Sequence, residues 1–551
     1  VKGLKNMSNR THDVQNQVPP RENFDTVQHP IYDEFLKSKH ADTAITEIHN
    51  FGRLAGSVQI QRLGELVEKH PPILNTHDKY GHRIDQVEYD PAYHELMSIA
   101  IANGLGGTPW QESRDHAHLI RAIKFTAWQA SDVGHTCPVT MTYAAIPAIR
   151  ADDKLAVQFE SLLSNGVYDS TFAASTLKKG LIAGMSMTEK QGGSDVRSNT
   201  TYAVQQEDGS YRLTGHKWFT SAPMSDILLT LAQTPNGLTC FIVPRILPDG
   251  TTNSIHLMRL KDKLGNRSNA SSEIEFDEAL GWLLGDEGRG VPTIVEMVNM
   301  TRLDVTQTSA AIMMNGLVKA THHVFHRSAF GDLLINKPLM RNVIADLAVE
   351  AEAAALSSMW LAALTDEVDN GDSNTILLRR IALAAMKYYI CKRTPGHIAE
   401  ALECLGGNGY IEDSGMPRLY REAPLGSIWE GSGNVAALDI VRILKRQPQA
   451  LEAVYDFLGS NIGFDNRYDE FFDQLKTSFS SETNLEFNAR TLAGDLAIAI
   501  QAALLIKYGN PATMEVFFAT RLSKYQDAIY GTLPSNTGVD EIIARAIAAI
   551  N

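Results

Sequence analysis

Four short segments of this 551-residue chain concentrate the residue types that do chemistry. The first runs Met185-Ser186-Met187-Thr188-Glu189-Lys190-Gln191-Gly192-Gly193-Ser194-Asp195. A Thr hydroxyl, two glycines that free backbone N–H groups, and Ser and Asp directly after them suit a planar heterocycle and a diphosphate lying across a strand end. An ordinary glycine-rich turn would read the same. The second segment is Gly215-His216-Lys217-Trp218-Phe219-Thr220-Ser221, where an aromatic ring two positions from a hydroxyl on a strand falls on the same face; a core Trp beside a bonded Thr is the plainer alternative. The third, Gly406-Gly407-Asn408-Gly409, is a tight turn that either lets backbone approach a ligand or caps a helix. In the fourth, Ser427-Ile428-Trp429-Glu430-Gly431-Ser432-Gly433-Asn434, a carboxylate beside an aromatic reads as a desolvated base, or as a first-turn Glu complementing a helix dipole.

The elements that must position these segments follow from periodicity. Residues 1–44 are polar and proline-bearing and predict an extension draped over the fold, the six residues before Met7 being an expected cloning remnant. Residues 45–180 carry helical spacing, as at Ala117 to Gln129 and Leu155 to Leu163. Gly104-Leu105-Gly106-Gly107 follows no strand and predicts a helix-breaking turn, not a phosphate loop. Residues 181–290 hold short β-rich runs between turn sequences, and predict an antiparallel β barrel or sandwich. Residues 291–445 return to long amphipathic stretches that predict a helical bundle, and 446–551 predict an additional helical domain. The fold class is thus multidomain α+β, in the order α, β, α and α, with no Rossmann repeat.

Composition narrows the function. The 64 Asp and Glu outnumber the 50 Lys and Arg, giving a formal charge of -14, which repels nucleic acid and anionic membrane unless basic groups cluster locally. The last segment sets eight basic residues against thirteen acidic ones, although Arg521, Lys524 and Arg545 could gather into a patch. The longest apolar runs, such as Leu496 to Ile506, are too short to span a bilayer. Cys137, Cys240, Cys391 and Cys404 lie far apart, so neither a disulfide framework nor a metal site is expected. A cytoplasmic protein is the expectation.

Taken together, the four segments resemble the acyl-CoA dehydrogenase flavoprotein family from about residue 95 to about 445. Thr188-Glu189 through Gly193-Ser194-Asp195 is similar to its T-E-P-G-A-G-S-D segment and Trp218-Phe219-Thr220 to its W-I-T strand. Lys263-Leu264-Gly265-Asn266-Arg267-Ser268, Thr301-Arg302, and Arg327 with Phe330-Gly331 match further family strings. Leu405 to Tyr410 is similar to L-G-G-N-G-[FY], and Glu430-Gly431-Ser432 falls on the family's E-G-T. The resemblance is closest to the AidB, or alkylation-response, branch, through Met187 to Asp195, Gly265 to Ser271 and Ser427 to Asn434.

That resemblance implies FAD and an acyl-CoA thioester. Glu430 is then the catalytic base, with its backbone N–H holding the thioester oxygen. Met185, Met187, Thr188, Gly193, Ser194, Trp218, Thr220, Arg327, Phe330, Glu403, Gly406, Gly407, Ser432 and Asn434 bind the cofactor. Ser194, Thr301, Arg302 and Gly431 face the substrate. The family pattern also implies a homotetramer, a dimer of dimers, in which Arg327 and Phe330 reach a neighbouring subunit's flavin, and an electron acceptor of unspecified identity. Glu403 and Asn434 stand where many members carry Gln, and Trp429 is bulkier than the usual Tyr. A DNA-binding flavoprotein with little dehydrogenase turnover is the alternative that the AidB branch implies, and the acidic last segment disfavours it.

Overall fold

The structure is a computed structural model; it describes residues 11–368, 371–481, 484–522, 529–534 and 538–550, so the expected remnant at 1–6 lies outside it. The N-terminal extension does not simply drape. Ile31, Tyr32, Phe35 and Leu36 line one face of α1 (Ile31–Ser38), and all four are buried in the main helical core. Their spacing is helical, so the prolines upstream conceal a core element. Next come α2 (Ile45–Ala55) and α3 (Val58–Lys69), the latter capped by Ser57 Oγ accepting from Ile60 N. An antiparallel hairpin, β1 (Ile73–His77) with β2 (Arg83–Glu88), interrupts the expected all-helical stretch. Its strands are polar and mostly solvent-facing, so little apolar alternation announces them. Asp90 caps α4 (Pro91–Ala102), with Pro91 where a missing N–H costs nothing. Gly104, at φ +78°, ends that helix as a turn. Helices α5 (Ala117–Trp128), α6 (Thr136–Ile149) and α7 (Asp153–Ser164) complete the region.

The middle region is a seven-stranded sheet: β3 (Ala183–Ser186), β4 (Tyr202–Gln205), β5 (Tyr211–Ser221), β6 (Ile227–Thr234), β7 (Gly237–Pro244), β8 (Ile255–Leu260) and β9 (Ser271–Leu284). The ladder runs β6-β4-β5-β9-β7 and returns to β6, so it closes into a barrel, with β8 paired to β9 and β3 to β6. The β3–β6 pairing is parallel, so the sheet is mixed, not wholly antiparallel. Leu213, Leu228, Phe241, Val243 and Ile274 fill one buried cluster; Leu229, Leu231 and Ile242, on alternate positions, join a second cluster shared with α6 and α7.

Beyond it, the 37-residue α8 (Gly290–His326) packs with α9 (Pro338–Val368) and α10 (Ser373–Glu403), and α12 (Gly433–Arg446) packs on α10; the short α11 (Met416–Glu422) precedes α12 and packs on α10 and α8. Helices α13 (Gln449–Gly459), α14 (Asn466–Ser481), α15 (Ala489–Tyr508), α16 (Pro511–Arg521) and α17 (Val539–Ala548) follow. Leu496, Val516 and Ile542 of these join the same core as α1, α5 and α9, so the last segment is continuous with the bundle. Among the described residues two helices, α9 and α15, are long and apolar enough to cross a bilayer by length and composition, contrary to the run-length reading; the apolar window of α9 is wholly buried and that of α15 mostly so. A buried ion pair ties α5 to α8: Arg121 Nη2 donates to Asp304 Oδ2 at 2.7 Å, and Thr140 Oγ1 donates to the same oxygen at 2.8 Å.

One buried carboxyl sets a pH dependence. Glu422, at the end of α11, accepts from Asn266 N at 2.5 Å through Oε1, while Oε2 has no partner. Burial pushes its carboxyl up to about 7. The folded state therefore keeps a proton that the unfolded chain releases, and stability falls as pH rises from the ordinary carboxylate range to about 7. Glu422→Gln should flatten that slope and be the more stable form above it, as read by urea denaturation at several pH values.

Candidate active site

Glu430 lies on the turn that feeds α12. It adopts φ +55°, unfavourable for a residue with a Cβ, and Gly431 follows at φ +98°. A Cβ on Gly431 would come within 2.8 Å of Val435 Cγ1, so glycine is required there twice over. The strained turn is held at both carbonyls by cations from other helices: Arg302 Nε of α8 donates to Glu430 O at 3.0 Å, and Lys387 Nζ of α10 donates to Gly431 O. Asp439 of α12 anchors Arg302 at 2.6 Å and takes two nitrogens of Arg380 at 3.0 Å. The backbone is thus overdetermined while one carboxyl oxygen is left open. Glu430 Oε2 is buried with no hydrogen-bond partner, and burial pushes the carboxyl above its ordinary range against the opposing pull of the Thr301 hydroxyl, Arg302 and Lys387.

The flavin-type segment is rigid for a separate reason. Glu189, fully buried, is not a site residue. Burial alone would raise its carboxyl, but Lys217 Nζ at 3.0 Å and the N–H groups of Thr200 at 2.7 Å and Thr201 at 3.0 Å hold it near 2. This pins Met187 and Thr188 to β5, where Trp218 N donates to Thr188 O at 2.7 Å. A Cβ on Gly193 would approach Thr188 Oγ1 to 2.6 Å, so the glycine keeps that hydroxyl open. Ser194 is exposed in the same turn. Thr220 is fully buried and shares a short hydrogen bond with Ser186, while Trp218 is half-buried with Lys261 Nζ 3.2 Å from its ring centre. A bulge between Lys217 and Thr220 breaks the strand alternation, so the spacing does not by itself place Trp218 and Thr220 on one face.

These two half-sites share one apolar cluster. Met185 of β3, Met141 of α6, and Met297 and Met300 of α8 form it, with Met187 and Trp429 packed against it. The remaining candidates fall elsewhere. Arg327 is bonded to the backbone carbonyl of Asn16, and Phe330, at φ +53°, is 96% exposed. Glu403, Gly406 and Gly407 are exposed, and a Cβ on either glycine would meet nothing. Ser432 and Asn434 are exposed at the start of α12, and Asn434 Oδ1 accepts from Arg490 Nε of α15 at 2.8 Å.

Sequence reasoning missed Lys387, Arg380, Asp439 and Arg490. Each stands in an ordinary amphipathic helix, and only the packing brings it to the Glu430 turn. Lys387→Met should release the Gly431 carbonyl and lower turnover by about tenfold with little change in cofactor content, since a hydrogen bond from a charged donor contributes roughly 1.5–3 kcal/mol. Rescue by Lys387→Arg, read as turnover per bound flavin, separates positioning from loss of fold.

The residues present fit a flavin. The open hydroxyl of Thr188, the bare backbone at Gly193 and the half-buried Trp218 ring offer hydrogen-bonding groups and flat surface, and Met187 of that segment packs on the same apolar cluster as Trp429, beside the unpartnered Oε2 of Glu430.

Residues 16–170 match the adaptive response protein AidB N-terminal domain, 184–279 the acyl-CoA dehydrogenase middle domain, and 288–445 the acyl-CoA dehydrogenase C-terminal domain. The chain is 42% identical over 510 residues to AidB of Escherichia coli (strain K12), covering 91% of this chain and 93% of that protein. The structure of Caenorhabditis elegans ACDH-11 in complex with C11-CoA superposes with a TM-score of 0.83 at 27% identity, over 94% of both chains. The apo form of Bd2924 superposes with a TM-score of 0.82 at 27% identity, over 90% of this chain and all of that one. The chain belongs to the acyl-CoA dehydrogenase family.

Proposed function

We propose that the chain is a cytoplasmic, homotetrameric, FAD-dependent oxidoreductase that introduces an α,β double bond into an acyl-CoA thioester, with Glu430 as the base. The carrying observation is the unpartnered, buried Oε2 of Glu430 on a turn fixed by Arg302 and Lys387. FAD, when bound, would accept the β-hydrogen as a hydride. Met185, Met187, Thr188, Gly193, Ser194, Trp218 and Thr220 would hold it within one protomer, with Ser432 and Asn434 from the α12 start. Arg327, with the exposed Phe330, Glu403, Gly406 and Gly407, would meet a neighbouring subunit, which accounts for a solvent-facing phenylalanine and bare glycine backbone on a monomer.

Glu430 would take the α-proton on Oε2. Its raised affinity for protons makes it a competent base near neutrality, and the Trp429 ring on the same turn keeps water away. The Glu430 backbone N–H would hold the thioester oxygen as negative charge develops there. Ser194, Thr301, Arg302 and Gly431 would border the thioester. Arg302 acts through the backbone, since its guanidinium is already engaged by Glu430 O and Asp439.

Two of the three cations that the DNA-binding alternative could draw on are paired internally. Arg521 donates to Asp346 at 2.5 Å and Glu350 at 3.0 Å, and Arg545 to Glu34 and Glu352 at 2.7–3.2 Å. Lys524 lies outside the described residues.

Anaerobic mixing of the yellow holoprotein with acyl-CoAs of increasing chain length tests the proposal. Rapid bleaching with a length optimum supports it; no bleaching at any length overturns it.

A further inference from the structure

A cavity of about 210 Å³ lies away from Glu430, between α4 with its preceding hairpin, the 168–173 loop and the β5–β6 connection. None of the residues assigned to flavin or thioester lines it. Its walls are aromatic. Tyr89 and Tyr93 stack with ring centroids 4.1 Å apart, Tyr168 bonds His94 Nδ1 at 2.9 Å, and Phe172, 39% exposed, stands at the mouth. The volume admits one ring and excludes CoA or a flavin.

The polar groups lining it are unequally engaged. Asp226 is spent: Oδ1 accepts from Lys178 Nζ at 2.5 Å and Oδ2 from Ile182 N at 2.9 Å. Asp169 is spent on Thr171 and on Lys179 N. His94 is held neutral by burial. Two buried lining groups have an unpartnered atom. Arg245, 1% exposed, donates to the carbonyls of Ile255 at 2.9 Å and Asp85 at 2.8 Å, but its Nε has no partner and no carboxylate bonds the guanidinium. Ser225 Oγ, fully buried, is also unpartnered. A buried guanidinium is a donor-only cation, and an N–H of it left without an acceptor is costly even with Asp85 nearby to offset the charge.

We propose that this cavity binds a single-ring aromatic carboxylate, its ring against the Tyr89–Tyr93 pair and Phe172 and its acid group taken up by Arg245 and Ser225. A planar ring matches the stacked tyrosines, and the acid supplies an acceptor for the one guanidinium N–H that has none. A cationic ligand finds no free carboxylate there. The site also touches the flavin segment at two places: Ile182 leads directly into β3, and Ala222, at φ +47°, follows Thr220-Ser221.

Fluorine NMR of 4-fluorobenzoate titrated with the holoprotein tests the proposal independently of turnover. Saturable binding is expected, at least about tenfold weaker for 4-fluorobenzamide and for the Phe172→Ala variant, whose exposed side chain can be removed without opening the core. Arg245→Met should abolish binding if it folds. No binding up to about 10 mM, equal affinity for the amide, preference for 4-fluorobenzylamine, or indifference to Phe172→Ala would each overturn it. Displacement by an acyl-CoA would place the ligand in the Glu430 site and overturn it as well.

Discussion

Glu430→Gln is expected to yield a folded, yellow protein whose acyl-CoA-dependent bleaching is slower by at least about 10³-fold, because a positioned general base contributes roughly 10²–10⁴ in rate. In free-energy terms this is about 4 kcal/mol. The amide keeps the size of the side chain, and the turn is held by Arg302 and Lys387 through backbone carbonyls that the substitution does not touch. Fold and flavin content should therefore be unchanged while proton abstraction is lost. The pH profile supplies a second reading. Only the ionised carboxylate is a base, and burial moves its titration above the ordinary carboxylate range, so kcat/KM of the parent should rise with pH through a limb displaced upward from that range. The limb should be absent from the residual rate of the Gln variant. Retained turnover across a range of acyl-CoAs would remove Glu430 from its role.

The second large effect is on stability. Arg121 and Asp304 are both almost completely buried, 2% and 1% exposed at the side chain, and join α5 to α8 two residues beyond Arg302. Arg121→Met should destabilise the protein by about 3–5 kcal/mol, since it strands a buried carboxylate that Thr140 alone cannot satisfy. The double variant Arg121→Met/Asp304→Leu should recover most of that loss, because the two apolar side chains need no partner. Chemical denaturation of the parent, both single variants and the double variant gives the coupling directly. If Arg121→Met matches the parent, the pair contributes nothing.

Much of the local architecture was legible from residue patterns, and the failures have particular causes. The barrel strands carry apolar alternation and turn residues, so β5, β6 and β7 stand out, whereas Tyr202 to Gln205 is only four residues long and mostly solvent-facing and the β1–β2 hairpin is mostly polar, so neither gives such a signal. Helix α1 was hidden behind prolines although its buried face has helical spacing. The Glu189 carboxylate sits inside a cofactor-like string yet serves Lys217, because burial of both groups forces them together. Trp218 and Thr220 are two residues apart, but a bulge removes the simple face relation between them.

The chain's own residue order determined the α, β, α, α succession, the flavin-type strings and Glu430 beside an aromatic, since those depend on neighbours within a few positions. Only the tertiary structure decided what surrounds that carboxylate. Lys387, Arg380 and Asp439 reach the turn across helix packing, and Arg302 joins them through hydrogen bonds spanning more than a hundred residues. Arg521 and Arg545 were likewise free cations in the sequence, and became internal partners once α9 presented Asp346, Glu350 and Glu352 to them. Charge in a sequence can be counted from composition; whether it faces water or a buried opposite charge is set by packing alone.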